Sequence, residues 1–217
     1  MFKIPPEKRG LAVVLSLVAI VASGVFLWRM FSGPDYRAQQ KNFIAVGGFA
    51  AETLAERVPS EAQLLLIAPP AGVSEIMDRQ LEAFRDELAV RGGQLVAQIE
   101  PPMDDRVEEA FFYDMGMSAS AYVDLIRPYE TVDYVVSFAG PPLAFEEDFE
   151  WPADLPQLVV VGSALYEMGE MLKAGVVAWA IGPQLDPVEP ERPPKTPREW
   201  FDLNYVVYTA EDVDWLL

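Results

Sequence analysis

The sequence contains no cysteine and no histidine. Without cysteine there is no disulfide, no thiolate zinc or iron-sulfur site, no thioether haem attachment and no lipidated N-terminal cysteine. Without histidine there is no imidazole base, which removes Ser-His-Asp and Cys-His catalysis, His-ligated haem and most transition-metal sites. Any catalysis would fall to carboxylates, Lys, Tyr or Ser alone. Positive charge is scarce too: 16 Lys and Arg stand against 34 Asp and Glu, a formal charge of -18. The deficit is uneven. Residues 1–41 hold six basic groups (Lys3, Lys8, Arg9, Arg29, Arg37, Lys41) against Glu7 and Asp35, so the other 176 residues carry 10 basic and 32 acidic groups, a balance of -22. A body of that charge repels phosphate backbones and anionic headgroups, which argues against nucleic acid and against docking on a lipid surface.

Leu11 to Trp28, LAVVLSLVAIVASGVFLW, has no charged residue. As a helix rising 1.5 Å per residue it is about 27 Å long, close to the apolar thickness of a bilayer. Lys8 and Arg9 bound it on one side and Trp28 and Arg29 on the other, residue types that anchor helix ends at the interface. A cleaved signal peptide is the competing reading, with Val21 to Ser23 before the cut. Its apolar region is normally only about 7 to 15 residues, and cutting there leaves GVFLW exposed, so an uncleaved single-pass anchor is expected. Lys3, Lys8, Arg9 and the free amine tip the positive-inside balance slightly toward an N-terminus inside. The expected location is a bacterial inner membrane, with the acidic body in the periplasm or outside.

The body alternates strand and helix. Residues 64–68, 95–99, 134–139, 158–162 and 176–181 are apolar runs rich in β-branched and aromatic residues, with 205–209 a sixth, and read as strands. Helical stripes lie on Phe43, Val46, Ala50, Leu54 and Val58, weakened by Gly47 and Gly48; on Met77, Leu81, Phe84 and Leu88; on Tyr122, Leu125, Ile126 and Tyr129; and on Leu165, Met168 and Leu172. Nearly continuous apolar strands joined by helices imply a three-layer α/β, Rossmann-like domain with a mostly parallel sheet of five or six strands. Gln94 and Gln98 mark the second strand as an edge, which gives the order 2-1-3-4-5. The expected divisions are 1–10 cytoplasmic, 11–31 transmembrane, 32–60 linker and amphipathic helix, and 61–217 the α/β domain. The tail is expected to pack down through Trp215, Leu216 and Leu217.

In such a sheet ligands sit beyond the carboxyl ends of the strands, where the order reverses. That point lies between APPAGVS, after the first strand, and AGPP, after the third. Pro70, Ser74, Gly140 and Ser163 are the candidate ligand-binding residues. The chemistry is not that of a phosphate loop, because Pro69 and Pro70 lack N–H donors and Glu75 brings negative charge to the helix start. Ser74, Ser118 and Ser163 each precede a helical stripe, where an N-cap is the ordinary role of a serine. VGSAL at 161–165 lacks the second glycine of a nucleophile elbow. The carboxylates at 103–109 and 145–152 lack the spacing of a calcium loop, so no metal and no cofactor is expected. The proline-rich stretch 183–200 fits neither strand nor helix. It reads as a connection or as an extended arm on a protein partner, with Trp200, Phe201 and Trp215 as candidate partner-binding residues.

The strand-helix order, the segment VDYVVSFAGPP and the ending REWFDLNYVVYTAEDVDWLL resemble one lobe of the type I periplasmic-binding-protein-like fold. That resemblance implies a domain of a class that binds sugars or amino acids between two lobes, with length here for one lobe; no binding residues are carried over from it. The expectation is therefore a membrane-anchored, non-enzymatic domain acting as a structural or interaction subunit of a larger membrane or envelope complex. The alternative is a small-solute-binding module using the strand-end crevice.

Overall fold

The computed structural model describes residues 9–32, 34–101, 118–142, 151–162, 168–185, 190 and 192–215, with side chains for all of these but 9–12, 14–15, 29–39 and 213–215. The chain divides into two compact units, 1–41 and 42–217.

In the first unit the uncharged stretch is helical: α1 runs Arg9–Ser32. Its described large apolar side chains, from Val13 through Leu17, Ile20 and Val25 to Trp28, are each more than half exposed. On the described residues alone no helix is long and apolar enough to cross a membrane.

Helix α2 spans Pro34–Arg57 and contributes to the second unit from Asn42 onward. There follow β1 (Gln63–Ile67), α3 (Glu75–Val90), β2 (Gln94–Ile99), α4 (Ala119–Ile126), β3 (Tyr134–Ser137), β4 (Gln157–Val161), α5 (Met168–Lys173), β5 (Val177–Pro183), α6 (Pro197–Asn204) and β6 (Tyr205–Tyr208). The sheet order is β2-β1-β3-β4-β5-β6, parallel throughout except that β6 runs antiparallel to β5, from Ala180 opposite Tyr208 to Pro183 opposite Tyr205. The expected order and the sixth strand are both present. β2 is an edge, alternating exposed and half-buried positions, and its Gln98 accepts from Arg85 Nε at 3.0 Å.

Right-handed crossovers place helices on opposite faces according to the direction of travel across the sheet. The step from β1 to β2 puts α3 on one face; the later steps run the other way and put α4 and α5 on the other. Leu65, Ile67, Val135, Leu158 and Val160 pack beneath α4 and α5 with Tyr122, Ile126, Met171 and Leu172. The opposite face, through Leu64, Leu66, Val136, Val159 and Trp179, receives Phe84 and Leu88 of α3. One crossover helix cannot cover six strands. α2 fills the gap with Val46, Ala50, Ala51 and Leu54, and α6 with Phe201. The interval 183–200 is thus not wholly irregular, since α6 takes its last four residues. Thr196 caps that helix, its Oγ1 accepting from Glu199 N at 3.1 Å, and Pro197 occupies the first turn, where a missing N–H costs nothing.

Candidate solute crevice at the strand ends

β1 and β3 are neighbours whose connections leave in opposite directions, so the chain parts between the segments that follow them. After β1, Ala68 N donates to the Ile99 carbonyl at 3.1 Å, Pro69 is buried and Pro70 is half-buried. Residues 71–74 then turn out into solvent. Gly72 sits at φ +87°, which a side chain rarely tolerates, and its N–H donates to both carboxylate oxygens of Asp78, at 3.0 and 3.3 Å. Ser74 is exposed and caps α3, its Oγ accepting from Met77 N at 3.4 Å. That hydroxyl performs the ordinary capping role, as does Ser118 for α4, accepting from Ala121 N at 3.3 Å.

After β3 the chain is stapled by its own serine. Phe138 N donates to the Ile67 carbonyl at 2.9 Å, Ser137 Oγ donates to the Gly140 carbonyl at 2.7 Å, and Ala139 N donates back to Ser137 Oγ at 3.3 Å. Gly140 is buried at φ +87°. Among the described residues Ser137 is the one buried residue of polar type. On the same face lies Tyr122 of α4, 1% exposed, with its ring 6.3 Å from that of Trp151. The Tyr122 hydroxyl is buried and finds no hydrogen-bond partner among the described residues. Burial pushes its pKa well up, and the nearby Ser137 hydroxyl works against that shift.

The structure therefore brings Pro70 and Gly140 to the two sides of the switch point and assigns Ser74 to helix capping. Ser163 lies outside the described residues, just after Gly162, whose N–H donates to the Ile181 carbonyl at 2.7 Å. Three residues outside the sequence-predicted candidates complete the picture: Asp78, Ser137 and Tyr122. A polar residue inside YVVS was the available signal for Ser137. The carboxylates of 103–109 and most of 145–152 fall outside the described residues, and among those described no group of three or more metal-ligating side chains gathers.

Two of the three C-terminal candidates, Trp200 and Phe201, are engaged internally. Trp200 meets Phe43 edge-on with centroids 5.3 Å apart, and Phe201 packs on Phe49 and stacks on Tyr205 at 5.0 and 5.3 Å. Phe201 is buried and belongs to the core, so it is not offered to a partner; Trp200 is half-buried. Trp215 closes a 3-10 turn, Ala210–Trp215, its side chain outside those described, as are Leu216 and Leu217. Arg192 forks onto Glu199 with both bonds at 3.1 Å, and Lys195 N donates to the same carboxylate at 2.8 Å. Arg192, then the Lys195 N–H, hold the Glu199 carboxyl below its ordinary pKa. An open cavity of about 500 Å³ lies here, lined by Pro190, Arg192, Pro194, Glu199, Asp202 and Leu203.

Solved structures share this architecture. A solute-binding protein of an ABC transporter from Burkholderia graminis C4D1M, in complex with D-arabinose, matches with a TM-score of 0.51 at 12% identity, over 78% of this chain and 60% of its own. A sugar-binding protein of a sugar ABC transporter from Bacillus halodurans matches with a TM-score of 0.50 at 14% identity, over 81% of this chain and 65% of its own. The chain has the fold of a type I periplasmic-binding-protein-like lobe. It spans about three fifths of the length of these two proteins. No family model and no curated protein matches its sequence.

Proposed function

We propose that the chain is a membrane-anchored, non-enzymatic module that binds a small neutral or cationic solute in the crevice between the 68–74 and 138–142 segments. The observation that carries the reading is the reversal of strand order between β1 and β3, which opens the sheet where proteins of this fold hold ligands. Two such proteins are solute- and sugar-binding components of transporters, one with D-arabinose bound. The charge of the body disfavours anions, and the crevice backbone around Gly72 and Gly140 approaches a ligand without bulky side chains. α1 supplies the anchor in this reading, because its helical backbone covers the entire uncharged run 11–28. Thermal unfolding of the full chain in detergent micelles, screened against pentoses, hexoses, amino acids and polyamines at millimolar concentration, tests it. At least one compound raises Tm if the crevice binds solutes, since a ligand stabilises the state that it binds. A flat screen refutes the reading.

A second reading, a structural or interaction subunit of a larger membrane complex, is favoured by the open groove lined by Pro190, Arg192 and Leu203, with half-buried Trp200 nearby on α6. Extraction in several mild detergents followed by sizing separates the two. A lone 24.1 kDa species in every detergent counts against the subunit reading.

A further inference from the structure

Two contacts of α3 lie two residues apart and face different destinations. Asp78 holds the Gly72 N–H of the crevice segment at 3.0 Å, while Gln80 Nε2 donates to the Phe43 carbonyl of α2 at 2.8 Å in a half-buried contact. Phe43 stands one residue inside the second unit, and its ring is held from another side by Trp200 of α6. There is no slack between the two helices at this level. A Cβ placed on Gly47 would overlap the Gln80 carbonyl oxygen, so the α2 backbone rests directly on that of α3. Close-packed contacts of this kind transmit displacement because they lack space in which to absorb it.

We propose that the N-terminal half of α3 is a mechanical link, through which the state of the crevice segment biases the packing of the 42–50 part of α2, and the converse. The link rests on the solute reading for its purpose, since a solute ordering residues 68–74 would be its natural input. Its mechanism does not require the solute's identity. A rigid helix carries both contacts within about one half-turn, so a shift that Asp78 undergoes to follow Gly72 is imposed on Gln80 and hence on Phe43. Thermodynamic linkage makes the coupling reciprocal: whatever loosening at Gly72 does to Phe43, loosening at Phe43 does to Gly72 to the same degree. Arg79 lies between the two and pairs with Glu75 on the solvent side, at 2.7 Å, so it supplies a control within the same turn.

Amide hydrogen exchange of the full chain in micelles tests the link without any solute. Asp78→Ala is expected to speed exchange in the 42–50 segment, and Gln80→Ala in the 68–76 segment, each by about fivefold, the lower end of ordinary coupling between sites. Asp78→Asn, which keeps an acceptor for Gly72, restores much of the far-end protection, and Arg79→Ala leaves both far ends unchanged. Far-end exchange that stays at the wild-type rate while the near end loosens overturns the proposal. A rise shared equally by the β1 and β3 segments overturns it as well, since that is global loosening. Because no solute enters, the link can stand where the solute reading falls. Conversely, a solute that raises Tm without slowing exchange in 42–50 sinks the link and leaves the solute reading intact.

Discussion

The two adjacent glycines of α2 respond in opposite directions to the same substitution. In an exposed helix interior Gly→Ala stabilises by about 1 kcal/mol, because alanine has less backbone freedom to lose. Gly48 is half-buried, and a Cβ there meets nothing nearer than the Ala83 carbonyl oxygen at 3.9 Å, an ordinary contact. Gly48→Ala is therefore expected to raise stability by ~0.5 to 1 kcal/mol. Gly47 is buried, and its Cβ would overlap the Gln80 carbonyl. That obstacle is backbone of a neighbouring helix, so relief requires α2 to lift from α3, exposing Val46 and Ala50 as it does so. Overpacking of this kind costs ~1 to 3 kcal/mol, and an immovable backbone partner puts the cost at the upper end. Set against the propensity gain, Gly47→Ala is expected to lose ~1 to 2 kcal/mol. Urea or guanidinium unfolding of both variants in the same micelles gives the two signs directly, as midpoints moving apart at unchanged slope. If Gly47→Ala is as stable as the wild type, or if both variants shift in the same direction, the close approach of α2 to α3 is wrong, and the link through Gln80 falls with it.

Removing the Tyr122 hydroxyl leaves no hydrogen-bond partner stranded, so Tyr122→Phe is expected to be neutral or to stabilise by up to ~1 kcal/mol, read as a denaturation midpoint; a clear loss would show that the hydroxyl is satisfied. The same variant has a pH signature. The folded pKa of Tyr122 lies above the ordinary 10.0, so its share of stability is fully present below pH 10 and is lost as pH rises beyond it, and Tyr122→Phe should flatten that alkaline decline. Deleting residues 203–217 removes β6 and buried Tyr208, which is 7% exposed and donates to the Pro183 carbonyl at 2.8 Å. At ~1.5 to 3 kcal/mol per large buried side chain, the loss is expected to lower Tm of the whole domain, whereas an unchanged Tm would make β6 dispensable.

How far the sequence spoke depended on what each segment buries. β2 could be placed at an edge because Gln94 and Gln98 interrupt an apolar run only where water reaches the strand. The central strands read easily because both their faces are covered. Ser137 escaped notice for the converse reason: within YVVS it resembles a tolerated small residue, and only the fold reveals that its hydroxyl closes the turn to Gly140. Tyr122 was legible as a core position but not as an unpaired phenol, since helical periodicity registers the ring and not the oxygen. α6 was hidden by proline. The prolines at 190, 193, 194 and 197 dominate the composition there, yet Thr196-Pro197-Arg198-Glu199 is a helix start in which proline is favourable and Glu199 occupies the third helical position.

The placement of α2 bears on both proposals more than any single side chain does. A sheet with one crossover to the left and three steps to the right receives crossover helices unevenly, so the face under α3 would stand largely bare beneath β3, β4 and β5. Val136, Val159, Trp179 and Ile181 on that face are at most 6% exposed, and their cover comes from helices at either end of the domain. α2 and α6 also hold each other: Glu52 of α2 accepts from Arg198 of α6 at 2.7 Å, while the Arg198 guanidinium lies 5.1 Å over the Phe49 ring. Phe201, which looked suited to a partner, is consumed in making this cover. From Asn42 onward α2 is for the same reason part of the core. A helix packed on the sheet, gripped by Gln80 and seated through Gly47, cannot shift without disturbing the face that it covers, which is the physical basis of the proposed link between residues 42–50 and the crevice segment.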